Sequence, residues 1–217
     1  MNTRHFFIPC LIALLLAPVS RADESVIQCA NLIYAGTKTS RCFSDQFLTA
    51  MQQKTAIPVE RRFRSVKLGS DELFDYPFVM MTGESSFFLT SGERENLKRY
   101  LENGGFLLAS AGCSNQDWGR SFRAEMKKIF GDDELAEIDL AHPIFRTVYQ
   151  IEKLELYKSS GEATLEGIEL DGKLVVVYSD DGLNDTSNRA GCCCCGGNEI
   201  ANAMEVNVNV LSYALLY

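Results

Sequence analysis

The chain has little histidine and a deficit of basic residues. It contains 2 histidines, and its 21 Lys and Arg residues are outnumbered by 29 Asp and Glu, which gives a formal net charge of −8 at pH 7. A surface of this charge repels phosphate backbones and anionic lipids. A short basic cluster at residues 61–64 is too small to reverse that charge, so nucleic acid is excluded as a partner.

The chain also lacks an apolar run long enough to span a bilayer, which takes about 20 residues. The run from Phe6 to Ala17 is shorter, follows Arg4 and precedes the small residues around Ala22. This pattern is typical of a cleaved export signal, so residues 1–22 are predicted to be a signal peptide. We therefore expect a periplasmic or extracellular protein with no stable membrane span after cleavage.

The predicted mature chain, residues 23–217, shows no linker and no internal repeat. Removing residues 1–22 leaves 19 basic and 29 acidic residues, a net charge of −10. The chain is 46% hydrophobic, and about 195 residues suit one domain around one core. We therefore expect a single α/β domain over residues 23–217.

Cysteine, by contrast, is abundant. Eight are present, one of them inside the predicted signal, and the mature chain keeps seven: Cys29, Cys42, Cys113 and Cys192 to Cys195. In an oxidising compartment the usual state of cysteine is a disulfide. Because seven is odd, at least one must be a thiol, a metal ligand or bonded to another chain.

Four of these cysteines are adjacent, in the stretch GCCCCGGNEI at residues 191–200. Neighbouring side chains of an extended backbone point to opposite faces, so the four are not suited to surround one ion. Cys192 and Cys195 have the C-x-x-C spacing of zinc sites, and with Cys113 they could hold zinc or copper(I). We rank structural disulfides first, a thiolate metal site second and a redox or nucleophilic cysteine third. Asn198 is expected to cap the final helix.

Strand-like and helix-like segments alternate along the mature chain, which predicts an α/β three-layer sandwich around a mostly parallel sheet. The predicted strands are residues 26–35, 57–68 at an edge, 78–81, 106–110 and 174–178. Helices are predicted from Ser44, after a capping box at Thr90, over residues 116–130 and at the C-terminus. Asp171-Gly172 is typical of a hairpin turn.

Small and polar residues follow the predicted parallel strands. Ligands of open α/β sheets bind outside the carboxyl ends of the strands. The predicted ligand-binding residues are therefore Gly36, Thr37, Thr82, Gly83, Glu84, Ser114, Asn115 and Asp180. A small molecule or an envelope protein would be the partner. Gly36 is followed by Lys38, but without the spacing of a phosphate-binding P-loop.

Cys113 stands in a small-residue turn between a predicted strand and a predicted helix. A helix N-terminus lowers the pKa of such a thiol, and strand-turn-nucleophile-helix is a known catalytic geometry. His142 is the single histidine of the predicted mature chain, so Cys113 and His142 form the one candidate Cys–His dyad. The opposing interpretation is that His142 is structural and that Cys113 is held in a disulfide.

Five phrases of the sequence carry a family resemblance. They are LFDYPFVMMTGE (73–84), ENLKRYLENGGFLLAS (95–110), RSFRAEMKKIF (120–130), HPIF (142–145) and GKLVVVYS (172–179). In this order they resemble the bacterial family domain of unknown function four-one-five-nine. That family is similar to the class I glutamine-amidotransferase fold, a flavodoxin-like sandwich that also includes trehalose-utilisation-like proteins.

In the amidotransferases one strand-end loop supplies an oxyanion hole and the next supplies the cysteine, and the resemblance puts Gly83 and Cys113 at those places. The amidotransferase turn has glycines two residues either side of the cysteine, where this chain has Ala111 and Asn115. The resemblance therefore implies the fold more than the activity. We expect a non-catalytic binding module with structural cysteines. The alternatives are a hydrolase or transferase using Cys113 and His142, and a thiolate metal-binding protein.

Overall fold

The computed structural model describes residues 26–36, 38–39, 43–131, 135–184 and 198–217. The predicted signal peptide, Thr37, Cys42 and Cys192 to Cys195 lie outside the described residues. In the described ranges no helix combines the length and the apolar character needed to cross a membrane.

The centre of the fold is a mostly parallel sheet. Its strands are β1 (Cys29–Ile33), β2 (Arg64–Lys67), β3 (Phe78–Gly83), β4 (Phe106–Ala111), β5 (Ala136–Glu137), β6 (Glu166–Leu170) and β7 (Lys173–Ser179), in the order β2-β1-β3-β4-β7-β6-β5. The first five positions of that order are parallel and have the flavodoxin-like arrangement. β6 and β5 extend the sheet antiparallel beyond β7.

Helices cover both faces of the sheet. They are α1 (Gln46–Lys54), α2 (Ser91–Glu102), α3 (Gln116–Phe130) and α4 (Ala203–Leu216). Met80 of β3 packs in one core cluster with residues of α1 and α4, and the neighbouring Val79 and Met81 pack in the other with residues of α2 and α3. This alternation follows from the two-residue period of a strand. The predicted three-layer α/β sandwich is confirmed.

Local sequence signals explain where several elements begin and turn. Thr90 Oγ1 accepts from the Glu93 backbone N–H, and the Glu93 carboxylate accepts from the Thr90 backbone N–H at 2.8 Å, which is the predicted capping box. Asp171 and Gly172 have φ of 51° and 78° and connect β6 to β7, as predicted. Both residues tolerate this left-handed backbone.

Two predicted helix starts were wrong. Helix α1 has Asp45 at its N-cap position rather than Ser44. The final helix begins at Ala203 rather than after Asn198, because Glu199 and Ile200 form isolated β-bridges to Gly182 and Leu156. Backbone pairing with two other segments holds these residues extended, and the glycine-rich local sequence does not reveal it.

Asn207 lies on the apolar side of α4, where a buried amide needs a partner. Its Nδ2 donates to the Leu183 backbone carbonyl at 2.8 Å, and the residue is 1% exposed. The amide therefore ties α4 to the chain that follows β7.

Candidate functional site

The parallel strands end at one edge of the sheet, which we call the carboxyl edge. Gly36 follows β1, Glu84 follows β3, Cys113 follows β4 and Asp180 follows β7. Parallel pairing of β3 with β4, and of β4 with β7, brings the last three positions into adjacent turns. The structure thus assembles at one edge the segments that the sequence singled out.

The order of the strands reverses between β1 and β3, where doubly wound folds usually bind ligands. Here that crevice is filled. Trp118 Nε1 donates to the Tyr34 hydroxyl at 2.6 Å, and that hydroxyl donates to the Thr82 carbonyl at 2.9 Å. A Cβ on Gly83 would stand 2.3 Å from the Tyr34 hydroxyl oxygen. Thr82 and Gly83 are buried under this pair and present no side chain to solvent.

The residues around the Tyr34–Trp118 pair are more exposed to solvent. Gly36 is exposed with φ of 88°, and Lys38 Nζ lies 2.9 Å from Ser85 Oγ across the two strand ends. Glu84 is exposed, and a Cβ on Gly112 would stand 3.0 Å from Glu84 Cγ. The same Cβ would stand 2.8 Å from the Gly83 carbonyl oxygen, so the turns after β3 and β4 approach each other closely and Glu84 lies beside the turn that carries Cys113.

Cys113 occupies the tight turn between β4 and α3 that the sequence predicts. It has φ 52° and ψ 32°, and Ser114 also has φ of 52°. A left-handed conformation is uncommon for residues with a side chain and marks a turn that its surroundings hold in place. Asn115 is committed to structure, because its Oδ1 accepts from the Trp118 backbone N–H at 2.9 Å and caps α3.

His142 lies at the opposite edge of the sheet. Its Nδ1 accepts from the Ile144 backbone N–H at 3.1 Å, and its Nε2 is 4.0 Å from Glu169 Oε1. Glu169 pairs with Leu174 near the start of β7, whereas the Cys113 turn follows the strand end that pairs with Ser179. Five residues of strand correspond to about 16 Å. The structure does not bring Cys113 and His142 together, so they form no dyad.

Cys29 is also remote from Cys113. It is a fully buried thiol in β1 that pairs with Phe78 at the start of β3, and burial raises its pKa to about 12. Cys29 and Cys113 are therefore not joined to each other by a disulfide.

A polar cavity of about 330 Å³ opens at the carboxyl edge between β4 and β7. It is lined by Ser114, Gln116, Arg120, Arg123, Asp180 and Asp181. Of the predicted ligand-binding residues, Ser114 and Asp180 contribute to this cavity.

Arg123 is fixed in place by three oxygen-bearing side chains. Its Nη1 donates to Asp180 Oδ1 at 2.7 Å and to the Tyr178 hydroxyl at 3.2 Å, and its guanidinium also pairs with Glu166. Gly119 makes room for this group, since a Cβ there would stand 2.5 Å from Asp180 Oδ1. These three partners therefore orient the Arg123 guanidinium on the wall of the cavity.

The pKa values of the two carboxyl groups of the cavity are shifted in opposite directions. Burial acts to raise the pKa of Asp180, but the hydrogen bonds from Arg123 and Tyr178 outweigh it and lower that pKa. Burial raises the pKa of Asp181, and the neighbouring charge of Asp180 raises it further. The cavity thus contains Arg123, whose charge is balanced by its carboxylate partners, and a second arginine, Arg120. It also contains Asp181, which has no cationic partner among the described residues.

The segments on either side of residues 185–197 are both hydrogen-bonded to other parts of the fold. Asn184 Oδ1 accepts from the Ser44 backbone N–H at 2.7 Å, and Gly182 pairs with Glu199. Ser114 Oγ donates to the Asn198 carbonyl at 2.5 Å. Cys192 and Cys195 themselves lie outside the described residues. Within the described ranges, no three His, Cys, Asp or Glu residues are arranged to hold a metal ion.

The sequence did not single out Gln116, Arg120, Arg123 or Glu199. The two arginines are three residues apart in the helix that follows the Cys113 turn, and that spacing puts them on one face. On a helix with an apolar stripe, such residues look like an ordinary solvated face. The one indication in the sequence that they belong to the site was their position in the helix directly after β4.

This fold and its edge define an α/β domain of the doubly wound class with a polar carboxyl-edge cavity. Residues 28–215 match the family Domain of unknown function (DUF4159), and the chain belongs to that family. The predicted family is therefore confirmed. No curated protein matches the chain. A solved crystal structure of a ThuA-like protein from Bacteroides uniformis is similar, with 11% sequence identity, 91% of this chain and 95% of that chain covered, and a TM-score of 0.42.

Proposed function

We propose that the protein is an exported, non-catalytic module that binds a small polar ligand in the carboxyl-edge cavity. The carrying observation is the cavity of about 330 Å³ with Arg123 hydrogen-bonded on its wall to Asp180 and Tyr178. Its volume lies in the range of about 300–1,000 Å³ usual for ligand sites. The fold supports this site, because the cavity lies outside the carboxyl ends of β4 and β7, where open α/β sheets usually bind ligands.

The lining favours a small zwitterion. Arg120 has a side chain 69% exposed and paired at the surface with Asp117, so its guanidinium can reorient towards a ligand carboxylate. Asp181 has no cationic partner in the described part of the chain and can accept from a ligand ammonium group. Ser114 and Gln116 add neutral hydrogen-bonding groups to the lining.

L-serine tests this ligand class, with ethanolamine and 3-hydroxypropionate as analogues that lack the carboxylate and the ammonium group. We expect L-serine to shift the backbone amide NMR signals of Ser114, Gln116 and Asp181 and to bind more tightly than either analogue. Arg120→Ala and Asp181→Asn should each weaken binding about tenfold, the effect of losing about 1.4 kcal/mol of interaction. Thr49→Ala, in a separate cavity beside α1, is the control.

Binding that persists in both variants, or signal shifts confined to other parts of the chain, would overturn the assignment of the cavity. Absence of saturable binding by all three probes would overturn the proposed ligand class.

Export is a separate part of the proposal. It is supported by the pattern of residues 1–22. Cell fractionation and N-terminal sequencing test it: we expect the mature protein outside the cytoplasm with Asp23 as its first residue. An intact N-terminus in the cytoplasmic fraction would contradict it.

A further inference from the structure

Glu199 carries a buried carboxyl group that has no hydrogen-bond donor among the described residues. The residue is 4% exposed, and within the described residues neither Oε1 nor Oε2 has a hydrogen-bond partner. The Asn184 backbone lies close enough to favour the charged form, but the contact falls short of hydrogen-bond geometry. A buried polar group of this kind is uncommon and calls for an explanation.

The carboxyl group is pressed against the backbone of Gly182. A Cβ at position 182 would stand 1.9 Å from Glu199 Oε2 and 2.2 Å from its Cδ. No water-sized gap separates the two groups at that spacing. Holding a charged carboxylate there without donors is strongly unfavourable, whereas the neutral acid is much less so.

The groups that face Glu199 come from three segments. Burial is the main cause that raises its pKa, to about 7, and the charge of Asp181 after β7 raises it further. Lys158, in the segment that pairs with Glu199, opposes this effect. The third segment is the Cys113–Ser114 turn, which meets the chain at Asn198.

Residues 198–200 form a short connecting segment that depends on where Glu199 lies. Gly182 N–H donates to the Asn198 carbonyl at 3.2 Å, Ile200 N–H donates to the Gly182 carbonyl at 2.8 Å, and Tyr157 N–H donates to the Glu199 carbonyl at 3.0 Å. If the carboxyl group moved away from Gly182 to reach water, it would strain the first two bonds. Protonation of the carboxyl group is thereby coupled to the pairing.

We propose that Glu199 is a proton-controlled fastening for the 198–200 segment: the neutral acid keeps the segment paired to Gly182 and Ser114, and loss of the proton to solvent releases it. The device is independent of the identity of any ligand. It acts on the carboxyl edge, because the paired segment is hydrogen-bonded to Ser114 of the cavity and its release breaks that bond.

The direction of the pH effect follows from linkage. The released state exposes Glu199 with its ordinary pKa near 4.5, whereas the paired state holds it near 7. The population of the released state therefore rises with pH between these two values, by up to about tenfold per pH unit, and is level above them.

Hydrogen exchange of individual amides tests the proposal. The amides of Gly182, Ile200 and Tyr157 should lose at least tenfold protection between pH 5 and pH 8, after correction for intrinsic exchange. The Leu108 amide in the centre of the sheet serves as the internal reference. In Glu199→Gln, a neutral side chain of the same shape, the same three amides should show pH-independent protection. Asp181→Asn removes the like charge and should give a smaller rise than the unaltered protein.

Equal pH dependence in the unaltered protein and Glu199→Gln would overturn the proposal, as would pH-independent protection in both. If Glu199→Gln does not fold, carboxyl carbon NMR on the unaltered protein decides the matter. A Glu199 titration midpoint near 4.5 refutes the fastening, and one near 7 together with the loss of protection supports it.

Discussion

Ser114 donates a hydrogen bond from its Oγ to the backbone carbonyl of Asn198, with 2.5 Å between the two oxygens. The bond joins the turn after β4 to the segment before α4, two parts of the chain 84 residues apart. It also places the described end of the cysteine-bearing segment beside the Cys113 turn. The carboxyl edge is therefore a shared surface of the β4, β7 and α4 connections.

Removing that hydroxyl should weaken the junction. Ser114→Ala leaves the Asn198 carbonyl with one donor instead of two, because Gly182 N–H still reaches it at 3.2 Å. We expect a loss of about 0.5–1.5 kcal/mol in the free energy of unfolding, measured with urea. Ser86→Ala, at an exposed position in the loop after β3, is the matched control and should change stability by less than about 0.5 kcal/mol. Equal effects in the two variants would show that the junction contributes nothing.

The Tyr34–Trp118 pair that fills the β1–β3 crevice leaves no room for a methyl group at position 83. In Gly83→Ala the new Cβ would stand 2.3 Å from the Tyr34 hydroxyl and 2.5 Å from Trp118 Nε1, so the Tyr34–Trp118 hydrogen bond must shift. A destabilisation of about 1–3 kcal/mol is expected, because the added methyl group overpacks the surrounding core. Gly92→Ala, where nothing lies within 4 Å in helix α2, should instead stabilise by about 0.4–1 kcal/mol. Thermal unfolding of both variants measures the contrast, and a neutral Gly83→Ala would mean that the Tyr34–Trp118 pair is loosely packed.

The parts of the fold that could be predicted are those with a strong local cause. β3 and β4 are apolar on both faces, Thr90 and Glu93 form a complete capping box, and Asp171-Gly172 suits the turn it occupies. Pairing that depends on distant segments left no such trace. β5 is two exposed residues, and Glu199 and Ile200 are extended because Gly182 and Leu156 pair with them.

The candidate site divides in the same way. The turn of Cys113 follows from a buried strand and a capped helix, so its place at the carboxyl edge was predictable. The position of His142 was not, because its ring lies against Tyr213 of α4 and near Glu169 of β6, and nothing in the local sequence encodes either contact. The roles of Arg123 and Glu199 depend on partners more than forty residues away in sequence or on burial.

The thiols should differ sharply in reactivity. Cys29 is fully buried and burial raises its pKa to about 12, so it has almost no thiolate at neutral pH. Cys113 is half-buried in the turn before α3 and is accessible to small reagents whenever it is a thiol. Alkylation of native protein followed by mass spectrometry should leave Cys29 unmodified, and denaturation should expose it. Rapid native labelling of Cys29 would contradict the burial.

The same samples decide between the hypotheses for Cys192 to Cys195. Structural disulfides predict that these cysteines resist alkylation until a reductant is added. A thiolate site predicts stoichiometric zinc or copper by elemental analysis, lost in Cys192→Ser and Cys195→Ser. Labelling of all four without reductant, in metal-free protein, would exclude both and leave a redox or nucleophilic role.

Arg123 should not be replaceable by lysine. Its guanidinium serves Asp180, Tyr178 and Glu166 together, whereas an ammonium group lacks the fork that reaches all three. Arg123→Lys should raise the pKa of Asp180 towards its ordinary value and destabilise the protein by about 1–2 kcal/mol, the lower range for hydrogen bonds to charged groups at a partly exposed site. Carboxyl carbon NMR of Asp180 and urea unfolding measure the two effects. Arg120→Lys, at the exposed neighbour, should leave both unchanged, and an unmoved Asp180 in Arg123→Lys would show that the arginine does not set its ionisation.

His142 should make the protein less stable as the pH falls. Burial lowers its pKa below 6.5, although Glu169 opposes this, and its Nδ1 can accept from Ile144 N–H only while that nitrogen is unprotonated. The unfolded chain therefore binds the proton more readily than the folded one, and stability drops as the pH decreases through 6.5 and below. Urea unfolding at pH 5 and pH 8 measures this, with His142→Asn as the control because asparagine keeps the cap but does not titrate. The Glu199 effect has the opposite sign over this range, so the two variants should change the pH profile in opposite directions. Identical profiles for His142→Asn and the unaltered protein would remove His142 as a contributor.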